Sequence, residues 1–193
     1  MIMSSNNLPN IIAICGYKRS GKDTIANYLI DKYNYNHYKV GEKVRLIVQL
    51  LFNLNNEDYE KDKEVINDKW GITPRQMMQF VGTDMFQYKI QELIPNIGKD
   101  FWIKSLLSDE LINKIKNNHK IIISDLRFLH EYNNLKKLNI PMIIIKVNNN
   151  RLTINDNHIS ETEFLKIPFD YEINNNNTLD SLYSNIDNII DNL

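Results

Sequence analysis

Between residues 16 and 24 the chain reads GYKRSGKDT. Two glycines five apart, a lysine directly after the second and a hydroxyl two places on are the parts of a polyphosphate cradle. Gly16 and Gly21 allow a tight path on which backbone N–H groups converge on one anion, and Lys22 reaches the β- and γ-phosphates. The pattern departs from the usual one at a single position. A serine or threonine should follow the lysine; Asp23 stands there, and Thr24 comes one place later. A carboxylate is a good Mg²⁺ ligand, directly or through water. Beside a triphosphate it would be repelled unless a metal were present. Asp23 is therefore expected to help hold Mg²⁺ on ATP, with Thr24 giving its hydroxyl to a phosphate. Gly16, Arg19, Ser20, Gly21, Lys22, Asp23 and Thr24 form the expected ATP site.

A second set of residues suits an acceptor. Only five of the 23 basic residues are arginines, at 19, 45, 75, 127 and 151. Planar bidentate pairing makes arginine, not lysine, the better match to phosphate, so the positions of the few arginines matter. Arg75, Gln79, Gly82 and Phe86 recur at helical spacing and share a face, with Thr83 beside them. Met78, Val81 and Met85 fall on another face, assigned to the core. A mid-helix glycine costs ~1 kcal/mol against alanine; a bound ring lying on the backbone, or close packing, would account for it. The Gln79 amide can pair with a base edge. Phe86 or Trp102 could stack on the base, although Phe101 and Trp102 each read more readily as core. Asp125 ends an apolar run where a carboxylate can reach a metal, and Arg127 projects over the same rim toward a transferring phosphate. A salt bridge at a strand end is the plainer alternative. Arg151 opens a long polar stretch that contains His158 and Glu161; a solvated loop histidine is an equal reading of His158.

These residues need a frame to hold them. Apolar runs at 11–15, 35–40, 120–125, 142–147 and 169–173 read as strands, and amphipathic stretches at 21–33, 42–52, 74–90, 101–116, 131–138 and 178–193 as helices. Thr73, Pro74 and Gln76 make a helix start with a capping box. Strands alternating with helices imply a parallel sheet covered on both faces. Ligands in such sheets bind at the carboxyl ends of the strands. The phosphate loop, Asp125 and the polar 148–168 segment should therefore lie on one rim.

Composition narrows the function. A length of 193 residues suits one substantial domain, and a net charge of −1 gives no broad basic face for nucleic acid. One cysteine, Cys15, excludes a disulfide framework and a cysteine-rich zinc site, and reads as a small buried side chain in a protein of the reducing cytoplasm. No apolar run approaches the ~20 residues of a membrane span. The carboxylate-rich 57–68 stretch reads as solvated surface.

The loop in this form, followed in order by TPRQMMQFVGTDMF, GKDFW, ISDLRFLHE, NHISE and INNNNTLDSL, resembles the deoxynucleoside monophosphate kinases of bacteriophages and large DNA viruses. The resemblance covers most of the chain from Ile11 onward. It implies an α/β, three-layer P-loop kinase fold with a parallel sheet of about five strands. It also implies one kinase domain over 10–193 behind a loose tail at 1–9, with a lid at about 148–168. The implied reaction is transfer of the γ-phosphoryl group of ATP to the 5′-phosphate of a deoxynucleoside monophosphate, with Mg²⁺ held by Asp23 and Asp125. Lys22, Asp125, Arg127 and Arg151 would serve catalysis. Lys18, Val44, Arg45, Arg75, Gln79, Thr83, Trp102, Arg127 and Glu161 would contact the acceptor, and D-x-R-F-x-x-E adds Glu131 to that region. The family also implies a homodimer. Animal-type phosphomevalonate kinases carry a loop with S-G-K-D as well, so the loop alone leaves another small phosphorylated acceptor open. An NTP-driven switch or ATPase is a further alternative, against which the charge balance and the arginines argue.

Overall fold

The computed structural model describes residues 8–55, 63–152 and 158–193. Most of the expected tail, part of the acidic 57–68 stretch and the middle of the expected lid lie outside the described residues. By its internal contacts the chain divides into two compact units, one of residues up to Lys39 with Leu107–Leu193, the other Val40–Leu106.

The first unit holds the sheet. Its strands are β1 (Ile11–Cys15), β2 (Asn36–Tyr38), β3 (Ile121–Ile123), β4 (Met142–Asn148) and β5 (Tyr171–Asn174). They are all parallel, in the order β2-β3-β1-β4-β5. β1 and β3 are buried at every position, which is why they read as unbroken apolar runs and not as alternating ones. Ile12, Ile14, Ile122, Ile145 and Ile173 pack with Ile25, Ala26 and Leu29 of helix α1 (Lys22–Tyr33) and with Leu182, Ile186 and Ile190 of the last helix. Each buried leucine or isoleucine among them contributes roughly 1.5–3 kcal/mol. Cys15 is fully buried, and burial pushes its thiol up to about 11, so it is inert core. The chain passes from β1 to one side of the sheet for β2 and β3, then crosses to the other for β4 and β5. That reversal beside β1 is where a doubly wound sheet opens a crevice.

The second unit holds α2 (Glu42–Phe52), α3 (Pro74–Gln79) and α4 (Phe101–Leu106). Back in the first unit come α5 (Asp109–Lys116), α6 (Leu129–Lys136), α7 (Ile159–Thr162) and α8 (Leu179–Asp191). The expected 101–116 helix is two helices. Ser108 is extended and its side chain accepts a hydrogen bond from Leu111 N, so it caps α5 afresh; the serine ahead of Asp109 and Glu110 was the start signal.

The expected 74–90 helix starts as read, with Thr73 and Gln76 closing a capping box and Pro74 at the first position. It runs on to Glu92 but changes type, being π-helical over Phe80–Tyr88 and 3₁₀ over Lys89–Glu92. A π turn bonds i to i+5 and is wider than an α turn. Faces counted at 3.6 residues therefore slip. Met77, Val81, Gly82, Thr83 and Gln87 are buried, Met78 is half-buried and Met85 is 39% exposed. The assignment of Met78 and Met85 to the core is corrected accordingly. Among the described residues no helix is long and apolar enough to cross a membrane.

Candidate active site

The turn after β1 is a cradle that no other backbone could occupy cheaply. Gly16 has φ 143°, and a Cβ there would sit 2.3 Å from the Val147 carbonyl oxygen. Gly21 has φ 107° and its missing Cβ leaves room for Asn175, whose Nδ2 donates to Ser20 O at 2.9 Å. Arg19 takes a left-handed conformation at φ 62° and is exposed, while Lys18 is half-buried. The loop feeds directly into α1, so the first N–H groups of a twelve-residue helix open onto it. The Ser20 hydroxyl is buried and has no hydrogen-bond partner among the described residues. Thr24 is half-buried in the first turn of α1.

Lys22 lies across the loop, its Nζ donating to the carbonyls of Gly16 (2.9 Å) and Tyr17 (2.6 Å). Burial, with the Arg127 charge adding to it, lowers its pKa to about 8. An ammonium so destabilised gains from a polyanion more than a solvated lysine would. The helix terminus, the orphan hydroxyl and this lysine together suit a polyphosphate.

Asp23 is held by Lys39 at 2.7 Å. Burial opposes its charge, but the hydrogen bond and charge of Lys39, with Lys22 and His37, hold its carboxyl below the usual range. Asp125 follows β3 and acts electrostatically on Lys22 and Arg127. Among the described residues no three His, Cys, Asp or Glu side chains group to hold a metal by themselves. Oxygen donors few in number fit Mg²⁺, which keeps its waters and takes one or two carboxylates beside substrate phosphates.

Arg127 and Glu161, predicted separately, are brought together. Arg127 Nη1 donates to Glu161 Oε1 and, at 3.2 Å, to Ser160 O. Glu161 is 3% exposed. Burial opposes the Arg127 charge, yet Glu161 and Asp125 outweigh it and hold the guanidinium still more firmly protonated. Glu131 corrects its expected part. It is buried and accepts from the backbone N–H groups of Arg127 (2.9 Å) and Phe128 (3.1 Å), so it shapes the turn that presents Arg127. His158 caps α7, its Nδ1 accepting from Ser160 N at 3.2 Å. Phe164 packs edge-on against Tyr17 of the loop at 4.8 Å. Arg151 is exposed after β4 and donates through Nη2 to Asn176 O.

The second unit carries the rest of the predicted set. Arg45 Nε donates to both Glu42 carboxylate oxygens (3.2 and 3.1 Å), and its Nη1 donates to Gln49 Oε1 at 2.9 Å. Arg75 Nε donates to Glu64 Oε1 at 3.2 Å. Gln79 is half-buried and Thr83 buried. Gly82 is a packing glycine, since a Cβ there would lie 3.2 Å from Val44 Cγ1. That contact accounts for a glycine at 82 without invoking a bound ring. Trp102 is 4% exposed and its Nε1 donates to Gly82 O at 2.7 Å, with Phe86 tilted against its ring at 5.0 Å. Its expected stacking role gives way to bracing the π-helical turn, because the ring and its one polar atom are both engaged by protein.

Sequence reasoning missed Asn175, Lys39, Ser124 and His37. Asn175 sits in an asparagine run that reads as a turn; His37 lies within β2, Lys39 just past it and Ser124 just past β3, and only the pairing of those strands brings them to the loop.

Residues 10–65 and 53–186 match the deoxynucleotide monophosphate kinase family. An Acanthamoeba polyphaga mimivirus protein named "Putative deoxynucleotide monophosphate kinase" is 32% identical, over 94% of this chain and 96% of its own. Two solved structures share the fold. Dephospho-CoA kinase from Campylobacter jejuni has a TM-score of 0.50 at 14% identity, over 95% of this chain and 96% of its own. A Thermus thermophilus protein has a TM-score of 0.50 at 15% identity, over 96% and 98%. The sheet order, the loop after β1 and these matches agree on a nucleotide kinase, a phosphotransferase of P-loop fold. The chain belongs to the deoxynucleotide monophosphate kinase family.

Proposed function

We propose that this protein transfers the γ-phosphoryl group of ATP to the 5′-phosphate of a deoxynucleoside monophosphate, giving the diphosphate and ADP, and that residues 10–193 work as one kinase domain. The observation that carries the reading is the shielded Lys22 ammonium laid across a loop whose backbone only glycine permits at 16 and 21. In this reading the loop amides and the Ser20 hydroxyl bind the donor phosphates. Lys22 leaves the two carbonyls and turns its charge onto the β- and γ-oxygens.

Mg²⁺, when bound through Asp23 with Asp125 nearby, supplies charge neutralisation between the phosphates. The attacking oxygen needs no general base, because a phosphate monoester has its second pKa near ~6. What remains is alignment and charge. Arg127, oriented by Glu161 and the Ser160 carbonyl, lies beside the Lys22 charge and so faces the transferring group. Arg45 and Arg75 grip the acceptor phosphate, each already held in orientation by a carboxylate. Gln79 reads the base edge, with Thr83 beside it, and Lys18 contacts the acceptor from the loop. Arg151 steadies the donor side of the 148–168 segment, which excludes water during transfer.

The test is a coupled ADP-release assay against the deoxynucleoside and ribonucleoside monophosphates. ADP release dependent on a deoxynucleoside monophosphate supports the reading. Release that depends on no monophosphate would remove it. Asp23→Ala should shift the Mg²⁺ requirement of turnover; an unchanged requirement would exclude Asp23 from the metal.

A further inference from the structure

Behind Asp23 stands a part-buried polar chain that the reaction as described does not use. Ser124 Oγ donates to Asp23 Oδ1 at 3.3 Å, and His37 Nε2 lies 2.6 Å from the same Ser124 oxygen. Ser124 is 1% exposed, so bulk water does not compete for its hydroxyl. The donor sense follows from counting protons. An ionised carboxylate only accepts, and a serine hydroxyl has one proton to give. That proton goes to Asp23, so the shorter contact runs from His37 Nε2–H to Ser124 Oγ. The Lys39 ammonium meets the same Asp23 oxygen at 2.7 Å. β2 ends just before Lys39, and Ser124 is the first residue past β3. His37 and Ser124 are held at their spacing because these strands pair in register, His37 opposite Ile122.

We propose that Ser124, backed by His37, is a positioning residue that fixes the Asp23 carboxylate for a divalent cation, and that Lys39 is a place-holding cation which the metal displaces. The inference rests on the reading of Asp23 as a metal-binding group. A carboxylate free to rotate loses entropy when it takes a metal; one already pinned through a buried hydroxyl does not. The ammonium of Lys39 compensates the same oxygen until a metal arrives, so the loop never carries an unpaired anion beside incoming phosphates. Loss of the positioning hydroxyl should therefore weaken the metal and leave the nucleotide itself untouched. Loss of the place-holder should strengthen the metal.

The experiment uses the full chain with a non-hydrolysable ATP analogue and Mn²⁺, whose electron paramagnetic resonance separates free from bound ion. Nucleotide affinity without metal is measured in parallel by calorimetry in EDTA. Ser124→Ala should weaken Mn²⁺ about tenfold with metal-free nucleotide affinity unchanged, and Ser124→Thr, which keeps the hydroxyl, should restore it. His37→Ala should act in the same direction by a smaller factor, and His37→Ala with Ser124→Ala should be no worse than Ser124→Ala alone, since the two act in series. Lys39→Met should tighten Mn²⁺. Wild-type Mn²⁺ affinity in Ser124→Ala, or an equal loss of metal-free nucleotide binding, overturns the positioning role. Weaker Mn²⁺ binding in Lys39→Met overturns the place-holder. Asp23→Ala distinguishes the two levels: if it leaves Mn²⁺ affinity unchanged, the metal reading falls and this inference with it. If it weakens Mn²⁺ while Ser124→Ala does not, only the positioning inference falls.

Discussion

Binding of ATP should draw a proton onto Lys22. The side chain is shielded within the loop, donates to two carbonyls, and has a pKa lowered to about 8 by burial and by Arg127. A bound polyphosphate supplies the opposite charge that the unliganded site lacks, and so restores the ammonium over the whole working range. The proton taken up per ATP then equals the fraction of neutral lysine beforehand, about 0.1 at pH 7, about 0.5 at pH 8 and about 0.9 at pH 9. The assay is isothermal titration calorimetry of ATP in buffers of differing ionisation enthalpy, where the slope of observed heat against buffer enthalpy reads the proton count. Lys22→Arg is the control, because a guanidinium stays charged throughout. The unliganded protein gives a second readout. A lysine whose folded pKa lies below its ordinary 10.5 disfavours folding at full strength below about pH 8, and that penalty is relieved as pH rises from 8 toward 10.5. A proton count that stays flat between pH 7 and 9, or that persists in Lys22→Arg, would refute the reasoning.

Gly16→Ala should destabilise the protein by about 2–4 kcal/mol in urea denaturation, since its Cβ would overlap the Val147 carbonyl at 2.3 Å on a backbone with positive φ. Glu131→Gln keeps an acceptor for the Arg127 and Phe128 N–H groups. Burial raises the Glu131 pKa to about 8, so its contribution is full below about pH 4.5 and lost as pH rises through 8; thermal melts of the variant should lack that component of the slope. Gly82→Ala should cost about 1–2 kcal/mol despite better helix propensity, because the new methyl meets Val44 Cγ1 at 3.2 Å; adding Val44→Ala should recover part of it in the same melts. Arg127→Ala should lower kcat by about a thousandfold, whereas Glu161→Gln, which loosens the guanidinium without removing it, should cost less in the same steady-state assay.

The parts of this molecule that could be read from sequence are those fixed by local chemistry. β1 was bounded to the residue because a five-residue apolar run ends at a glycine, and the start of α3 because Thr73, Pro74 and Gln76 satisfy the same orphan N–H groups that the structure shows satisfied. Lys22 was legible from the loop pattern, and Asp125 and Arg127 from their place just past an apolar run; Glu161 was implied only by the resemblance. The joining of Arg127 to Glu161 was not legible, since it depends on where residues 34 apart meet. Met85 was misread because a π-helical turn leaves no mark in apolar spacing and shifts the faces that follow Phe80. Trp102 and Gly82 looked like a ring and a place for a ring; they are a hydrogen-bonded pair. Asn175 was invisible for the opposite reason, since its role is defined wholly by the room that Gly21 leaves for it.

The most direct measurement follows the phosphoryl group itself. ATP labelled on its γ-phosphate is incubated with the protein, Mg²⁺ and each deoxynucleoside monophosphate in turn, and the products are separated. Label in a deoxynucleoside diphosphate is the predicted result. Label that stays in ATP with every acceptor, or that leaves only as inorganic phosphate, would contradict it.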